Sequence, residues 1–386
     1  MTKRKHYKVV IIGAGPGGSS CAIALANLGI KDILIVEAGG FDKFRIGESI
    51  PPESRTVLLK LGVYDNFLNE GHEPCYGSCS YWGDERRGYN DFLLSPYGHG
   101  WHIDRRRFNL FLSGQAEVRG VELVSNYEFI NSSQTDKREF NLTLRDAQGK
   151  ESSIIADFIV DASGARSVFA LQQGSKKINN TPLICLAARF NIDNNSNIIP
   201  RLTHLEAVEY GWWYAARLPG NLLLAALYTD AGTIKQYGLR KLSVWKDLLS
   251  KTKNTGKLTA GIDIVDKKLM AFPAPSFILN KTVGNNWLAI GDAASTYDPL
   301  MSQGIMKSIT DALFAAQTIA KYFSGSADKL KEYHYVIATN YKQYLYTRKY
   351  FYHLEKRWPE SSFWKTYQGR KESPPIQQKK SIKTSR

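Results

Sequence analysis

One segment near the start of the chain constrains the fold more than any other. Residues 7–12 (YKVVII) are an uninterrupted, largely β-branched run, which is typical of a parallel strand buried on both faces. The run leads directly into the glycine turn GAGPGG at 13–18, a small-residue helix predicted at 19–28, and a second apolar strand at 32–36 that ends in an acid. Strand, glycine turn, helix, strand and terminal acid together make up the βαβ unit that binds dinucleotides.

The residues of this unit have separate expected roles. Gly13 permits the tight turn, Gly15 lets the backbone approach a pyrophosphate, and Gly18 lets the helix pack closely on the strand. The free N–H groups at the start of the helix then face the phosphates. Glu37 is placed to accept hydrogen bonds from both ribose hydroxyls, which disfavours a nucleotide with a 2′-phosphate. The expected cofactor site at this end of the chain comprises Gly13, Ala14, Gly15, Pro16, Gly18 and Glu37.

Two distant segments decide between FAD and NAD, since both cofactors use this unit. The strands in 158–167 (FIVDASGARS) and 287–294 (WLAIGDAA) each end in an acid, and DPLMSQG at 298–304 follows the second. With the N-terminal motif they resemble the three fingerprints of the aromatic-hydroxylase class of flavoproteins. The resemblance implies that Asp292 binds the ribityl chain of FAD and that Asp161 lies near the pyrophosphate, in direct contact or as a structural residue behind it. It also implies that backbone N–H groups at the next helix start stabilise negative charge on reduced flavin; these belong to Ser302, Gly304 and Ile305.

Two further stretches resemble the flavin-dependent tryptophan halogenases. Residues 45–52 (RIGESIPP) match their R-x-G-E-S-x-x-P loop, which lies along the cofactor. Residues 101–108 (WHIDRRRF) match a helix start whose arginine reaches the FAD phosphates. The alternative for this second stretch is a helix N-cap at Asp104 followed by solvated arginines. The resemblance adds Arg45, Glu48, Ser49 and Arg105 to the expected cofactor site.

The chain departs from the halogenases at the residues on which halogenation depends. Those enzymes position hypohalous acid with a lysine a few tens of residues after the R-x-G-E-S loop, but here the only lysine between residues 48 and 100 is Lys60, which comes too early. Their W-x-W-x-I-P segment is replaced by GWWYAARLPG at 211–220. This element, the RIGESIPP loop and the chain length resemble most closely the modifying flavoproteins that mature tryptophylquinone-containing amino-acid oxidases.

That resemblance implies an FAD-dependent monooxygenase that hydroxylates a tryptophan of a precursor protein during biosynthesis of cysteine tryptophylquinone. FAD is expected to bind non-covalently, O₂ to be the co-substrate, and NAD(P)H or a partner reductase to supply electrons. The precursor oxidase is the expected partner, and no side chain is assigned as catalytic. The alternatives are a small-molecule aromatic hydroxylase or halogenase, a flavoprotein of the polyprenyl-reductase type, and a non-catalytic FAD-binding chaperone for the precursor.

The motif positions predict an α/β protein, with a Rossmann-like FAD-binding fold of the aromatic-hydroxylase type, an inserted antiparallel-sheet substrate domain and a C-terminal helical segment. The FAD-binding domain is expected at 1–75, 100–175 and 277–325, and the substrate domain at 76–99 and 176–276. Residues 326–369 form the helical segment, and 370–386 a disordered basic tail. Aromatic side chains expected to line the substrate pocket, or else to form core, are Trp82, Trp212, Trp213 and Tyr214.

Composition bears mainly on partners and compartment. The net charge of +15 comes without a nucleic-acid recognition motif, so we expect no nucleic-acid binding and attribute the charge to solubility or to an acidic protein partner. The sequence contains no transmembrane-length apolar stretch. Four irregularly spaced cysteines do not make a disulfide scaffold, which favours the cytoplasm, and no metal-ligand spacing is present. The oligomeric state is left open.

Overall fold

The computed structural model of the protein describes residues 5–42, 44–136, 139–192 and 199–369. The predicted disordered tail at 370–386 lies outside the described residues.

The strands are His6–Ile12 (β1), Ile33–Glu37 (β2), Ser49–Ile50 (β3), Glu73–Cys75 (β4), Gly77–Tyr81 (β5), Gly88–Asp91 (β6), Gly100–His102 (β7), Glu122–Ser125 (β8), Tyr127–Gln134 (β9), Phe140–Asp146 (β10), Glu151–Asp161 (β11), Lys177–Thr181 (β12), Ile184–Asn191 (β13), Thr203–Val208 (β14), Gly211–Leu218 (β15), Leu222–Thr229 (β16), Met270–Pro273 (β17), Ser276–Leu279 (β18), Val283–Gly284 (β19), Trp287–Ala289 (β20) and Ser295–Thr296 (β21). The α-helices are Pro16–Asn27 (α1), Ser54–Leu61 (α2), Tyr64–Leu68 (α3), Arg105–Val118 (α4), Val168–Gln172 (α5), Ala231–Tyr237 (α6), Leu242–Ser250 (α7), Thr255–Thr259 (α8), Gly304–Phe323 (α9), Lys329–Leu354 (α10) and Ser362–Gly369 (α11).

The first sheet has a parallel centre in the order β20-β11-β1-β2-β8. Strands β9 and β10 add an antiparallel extension along the first half of β11, and β19 closes the other edge. In register, Ile12 of β1 lies beside Asp161 of β11 and Val36 of β2, so the carboxyl ends of the three strands coincide. Helix α1 begins at Pro16, three residues before its predicted start, and packs against α4 and α9.

The second sheet has seven strands in the order β17-β13-β16-β15-β14-β5-β6. All of its neighbours are antiparallel except β14 and β5, which are parallel. Both faces of its centre are covered: one packs on α6 and α7, the other on the C-terminal residues of α10 and α11. The predicted α/β fold class, with a parallel Rossmann-like core and an inserted sheet, is confirmed by structural likenesses given below.

The junction between the two lobes differs from the predicted boundaries. Strand β12 falls within the predicted substrate domain, but it pairs with β18, which pairs in turn with β21 at the end of the FAD-side motif. A second small sheet, β3-β7-β4, joins the RIGESIPP loop to the start of α4. Both small sheets therefore connect the lobes instead of belonging to one of them.

The long C-terminal helix α10 ties the lobes together. Its buried residues recur every three or four positions, which puts them on one stripe of the helix: Leu330, Tyr333, Ile337, Tyr341, Tyr344, Arg348 and Tyr352. The first five pack on the parallel-sheet core, and Tyr352 packs on the core of the second sheet. None of the helices in the described part of the chain combines the length and hydrophobicity needed to cross a membrane.

Candidate functional site

A cavity of about 530 Å³ opens where the carboxyl ends of the central parallel strands meet. This is the edge at which open α/β sheets bind nucleotides. Its wall takes residues from both lobes and from the loop at 45–49 between them. Twelve of the predicted cofactor residues lie on it: Gly13, Gly15, Pro16, Glu37, Arg45, Glu48, Ser49, Arg105, Asp292, Ser302, Gly304 and Ile305.

The glycine turn has the geometry expected of a pyrophosphate cradle. Gly13 has a φ of +112°, and a Cβ there would lie 2.4 Å from the Ala162 carbonyl oxygen. A Cβ on Gly18 would lie 1.9 Å from the Gly13 carbonyl oxygen, so helix and turn pack as closely as a glycine allows. At Gly15 no atom lies within 4 Å of the corresponding position, and the backbone there faces open space on the cavity wall.

Glu37 stands at the end of β2 with its carboxylate held by backbone groups. One oxygen accepts a hydrogen bond from the Ala14 N–H at 2.8 Å and the other from the Gly39 N–H at 3.3 Å. Each carboxylate oxygen keeps a further lone pair, so Glu37 can still accept from ribose hydroxyls in the cavity. Ala14 does not line the cavity itself; its N–H orients the acid.

Arg105 holds the loop at 45–49 in place. Its Nη1 donates to the carbonyl oxygens of Ile46 at 2.8 Å and Gly47 at 3.1 Å. Gly47 has a φ of +97°, and a Cβ there would lie 2.7 Å from this nitrogen, so the loop needs a glycine. Asp104 caps α4 by accepting from the Arg107 N–H at 3.0 Å. The N-cap and the cavity arginine, treated as alternatives from the sequence, are therefore both present.

The next residue of the loop, Glu48, is a buried carboxyl group on the cavity wall. Its Oε1 accepts a hydrogen bond from the Gly47 N–H at 2.8 Å. Burial raises the pKa of Glu48 to about 7, although the Arg105 guanidinium and the Gly47 N–H act in the opposite direction. Glu48 thus changes charge near neutral pH.

The opposite wall is built from the strand end at 290–292 and the start of α9. Burial raises the pKa of Asp292, and the nearby Lys307 and Arg105 cations partly counteract it. Lys307 donates to the Gly291 carbonyl oxygen at 2.9 Å and to Asp311 at 2.8 Å, which fixes α9 against this loop. Ser302, with a φ of +50°, turns the chain so that the first N–H groups of α9 lie beside the cavity.

Asp161 is a correction to the predicted cofactor site, because its side chain points away from the cavity. One carboxylate oxygen accepts from the Ser163 N–H at 3.0 Å and hydroxyl at 2.6 Å, and the other accepts from the Ala170 N–H at 2.8 Å. These bonds shape the loop at 163–168, which does line the cavity. Asp161 is thus a structural residue, one of the two roles considered from the sequence. Gly18 likewise acts through packing.

The predicted aromatic cluster divides between two faces of the second sheet. Tyr214 lines the cavity, but Trp213 next to it points to the other face, packs on Trp245 and has no exposed surface. Trp212 is also fully buried and stacks on Tyr228 with ring centroids 4.1 Å apart. The prediction that Trp212 and Trp213 line a pocket is wrong, because Trp213 packs on Trp245 of α7 and Trp212 is covered by Tyr228 and Tyr352.

Trp82 also lies off the cavity wall. Its indole N–H donates to the Phe351 carbonyl oxygen at 2.6 Å, and its ring meets Trp212 and Trp364 edge-on at 6.3 and 5.5 Å. It therefore anchors helix α10 to the second sheet. Tyr228, which no sequence motif predicts as a site residue, lines the cavity beside Tyr214. The one feature of the sequence that distinguishes Tyr228 is that it is the single aromatic residue of the apolar strand LLLAALYT.

A buried network fixes the DPLMSQG loop to helix α10. The Asp298 carboxylate accepts from Arg348 Nε at 3.2 Å, from the Tyr352 hydroxyl at 2.8 Å and from the Leu300 N–H at 3.0 Å. The Tyr344 hydroxyl accepts a hydrogen bond from the Asp298 N–H at 2.8 Å. The loop that carries the start of α9 is consequently positioned from the C-terminal helix.

One group of potential metal-ligating side chains is found among the described residues, and it lies away from this cavity. Within the described residues, the side chains of His6, Glu139 and Asp157 come close enough together to share an ion, but they lie on the surface at the opposite end of β1. The Lys8 ammonium is 2.8 Å from Asp157 and already supplies a cation to that group.

The cavity residues fit FAD. Gly15 leaves the open approach that a pyrophosphate needs, α1 and α9 present N–H groups, and Glu37 and Asp292 offer acceptors at separate points of the wall. Bound there, FAD would be held by the glycine turn and Arg105 at its phosphates, by Glu37 at its ribose, and by Asp292 and the start of α9 towards the flavin.

Comparison with known proteins supports the same cofactor. A family model for tryptophan halogenase matches residues 8–98 and 87–386. The protein LodB of Marinomonas mediterranea, whose name describes an FAD-dependent oxidoreductase, is 29% identical over 364 residues, which are 93% of this chain and 96% of LodB. The flavin-dependent halogenase armH4 of Armillaria mellea is 25% identical over 361 residues, 84% of this chain and 67% of its own length.

Solved structures share the fold. The myxobacterial chondrochloren halogenase CndH has a TM-score of 0.85 at 22% identity, covering 94% of this chain and 86% of that chain. QhpG, described as a peptidyl tryptophan dihydroxylase essential for tryptophylquinone cofactor biogenesis, has a TM-score of 0.76 at 20% identity, with 94% and 79% covered.

Proposed function

The chain belongs to the tryptophan halogenase family and is an FAD-dependent oxidoreductase, and we propose that within this family it is a monooxygenase acting on a protein. Its substrate is a tryptophan of a precursor oxidase, hydroxylated during biosynthesis of cysteine tryptophylquinone. FAD, when reduced, supplies the two electrons that activate O₂. NAD(P)H or a partner reductase supplies these electrons to the flavin.

The observation that carries the proposal is that no lysine stands among the described residues that line the cavity. Among the described residues that line the cavity, the cationic side chains are Arg45, Arg105 and Arg166. Lys60 lies on α2, exposed to solvent and off the cavity. The lysine that positions hypohalous acid in the halogenases has no counterpart among these described wall residues, which favours oxygen transfer over halogen transfer.

The structural likeness to QhpG supports a protein substrate. Its described activity is hydroxylation of a tryptophan within a polypeptide, and its chain superposes on 94% of this one. The cavity offers two features that such a reaction needs. One is a cradle that retains FAD, and the other is a wall of hydrogen-bonding side chains between the FAD lobe and the second sheet, formed by Glu48, Tyr214 and Tyr228.

The test is to mix the FAD-loaded protein, a chemical reductant, O₂ and the unmodified precursor of a tryptophylquinone oxidase from the same organism, and to measure the intact mass of the precursor. We expect a mass gain of one or two oxygen atoms, located on one tryptophan by peptide mapping. A precursor with that tryptophan replaced by phenylalanine is the matched control and should gain no mass.

Halogenation of a small aromatic is the second candidate, because relatives such as armH4 are named as halogenases. The same mixture with chloride or bromide and free tryptophan tests it. Halogenated product, together with an unchanged precursor mass, would contradict the proposed oxygenation of a protein and favour the small-molecule reaction.

A further inference from the structure

The solvent-facing side of helix α10 is both aromatic and basic. Residues 333–354 contain seven tyrosines and no aspartate or glutamate. Four of these tyrosines belong to the buried stripe of the helix, and the other three are exposed. The exposed ones share the opposite face with basic side chains, because the members of this face recur three, four or seven positions apart. We call this face the outer stripe; it comprises Tyr335, Lys342, Tyr346, Lys349, Tyr350 and His353.

The aromatic rings of the outer stripe are open to solvent. Tyr335, Tyr346 and Tyr350 are 58%, 48% and 61% exposed. At 1.5 Å of rise per residue, the stripe extends over about 27 Å of the helix. Exposed apolar residues that stand singly are normal on a protein surface, but three large rings on one helix face form the kind of surface that contacts another protein. Tyrosine is enriched in such contacts because its ring buries a large area at a low cost in rotamer entropy.

The lysines of the outer stripe lack the acidic partners that exposed helix lysines commonly have. Within the part of the chain that the structure describes, neither Lys342 nor Lys349 forms an ion pair. The Lys342 Nζ instead lies 5.9 Å from the centroid of the Tyr346 ring. In the first turn of the same helix, by contrast, Lys329 pairs with Glu332 at 2.6 Å. The outer stripe therefore presents positive charge that no carboxylate of its own helix face compensates.

We propose that the outer stripe of α10 docks an acidic surface of the protein substrate. The tyrosine rings supply the buried contact area, and the lysines pair with carboxylates of the partner and steer its approach. The identity of that partner as the precursor oxidase rests on the proposed function. The basic charge of the stripe selects the partner, because a surface rich in aspartate and glutamate supplies the charge that the stripe lacks.

Two other occupants fit this face less well. In a two-fold dimer, one outer stripe would meet an identical stripe that has no carboxylate, so that like charges would face each other. A helix that binds in the plane of a membrane must insert its apolar face into the lipid. The apolar face of α10 is already buried in the cores of the two lobes.

The first test measures binding after charge reversal. FAD-loaded protein is titrated calorimetrically with the unmodified precursor at about 0.05 M and about 0.5 M salt, between which exposed charges become largely screened. Lys342→Glu/Lys349→Glu should weaken binding at least about tenfold at low salt and by less at high salt. Lys60→Glu/Lys246→Glu makes the same change of net charge at two exposed helix lysines and is the matched control. Equal affinities of the two double variants would overturn the proposal.

The second test removes the rings. Tyr346→Ser/Tyr350→Ser should weaken precursor binding at least about tenfold at both salt concentrations, because lost contact area is not screened by salt. The control is Tyr89→Ser/Tyr97→Ser, which removes two exposed rings elsewhere on the second lobe. Circular dichroism and FAD content should stay unchanged in all four double variants, since none of these side chains lines the cavity or belongs to a core. A stripe variant that binds as tightly as its tyrosine control would exclude docking at this face.

The nature of the occupant is tested with the same variants. Vesicles of phosphatidylcholine and phosphatidylserine in equal parts, a single-stranded oligonucleotide, and sedimentation of the protein alone probe a membrane, a nucleic acid and a second copy. We expect the stripe variants to match their controls in all three measurements. A larger loss in any of them than in precursor binding would overturn the choice of an acidic protein.

Reaction rates separate docking from chemistry. Lys342→Glu/Lys349→Glu should raise the precursor concentration that gives half the maximal oxygenation rate and leave the rate at saturation unchanged, because the stripe does not line the cavity. Oxygenation with an unchanged half-saturating concentration would overturn docking while the proposed function stands. Stripe-dependent binding of a precursor that gains no oxygen would support docking and refute the proposed function.

Discussion

Replacing Arg348 with methionine should destabilise the protein through a buried charge left without its partner. The Arg348 and Asp298 side chains are 9% and 2% exposed, with Nε and the carboxylate oxygen 3.2 Å apart. Removing one member of such a pair costs about 3–5 kcal/mol, mainly because the other charge remains buried. Asp298 keeps hydrogen bonds from the Leu300 N–H and the Tyr352 hydroxyl. We therefore expect the lower end, about 3 kcal/mol of unfolding free energy.

The assay is urea unfolding at a fixed FAD concentration, since bound FAD stabilises the folded state by mass action. Arg145→Met is the matched control: its ion pair with Glu151 is 2.7 Å long, but the side chains are 44% and 49% exposed, so the loss should stay below about 1 kcal/mol. Adding Asp298→Asn to Arg348→Met should recover part of the loss. Equal losses for Arg348→Met and Arg145→Met would refute the reasoning.

Three further predictions concern the cofactor site and the buried histidines. Asp292→Ala should weaken FAD binding by about 1–3 kcal/mol, because a ribityl hydroxyl loses its acceptor, and fluorescence titration of FAD will detect this; unchanged affinity would remove Asp292 from the site. Gly18→Ala should unfold the glycine turn, since its Cβ would lie 1.9 Å from a carbonyl oxygen, whereas Gly15→Ala should keep its circular dichroism spectrum and lose FAD affinity; identical behaviour of the two would contradict the cradle. Lowering the pH from 6.5 towards 4 should lower the unfolding midpoint, because burial holds the pKa values of three histidines at about 4, so that in this range they bind protons in the unfolded chain and not in the folded one; a flat midpoint would argue against it. These residues are His72, His102 and His204.

The glycine turn could be predicted from sequence because its geometry is local. Gly13 has a positive φ, and Gly18 packs against a backbone oxygen five residues earlier, where a Cβ has no room. Glu37 ends β2, the strand that pairs with β1 just before the turn. Asp161 shows where such reasoning stops. A strand-end acid is visible in the sequence, but the direction of its carboxylate depends on Ser163 and Ala170, whose N–H groups close around it.

The tryptophans of β15 could not be placed because burial on this strand is decided by distant segments. Alternation in GWWYAARL puts Trp212 and Trp213 on opposite faces, which the sequence does indicate. It does not indicate that α7 covers one face, through Trp245, and that α10 and α11 cover the other, through Tyr352. Aromatic residues that looked available for a substrate are therefore core residues of the second sheet.

The two lobes meet the cavity at two loops, and each loop is held from outside by an arginine. Arg105 binds the carbonyl groups of the loop at 45–49, and Arg348 binds Asp298 ahead of the α9 start. The side chains between these anchors, Ser49 and Tyr214, come from different lobes yet share a hydrogen bond, with 3.3 Å between their hydroxyl oxygens. A change in the angle between the lobes would therefore break that hydrogen bond before it disturbed the glycine turn. Chemistry at this wall should thus be more sensitive than FAD retention to substitutions that loosen α10.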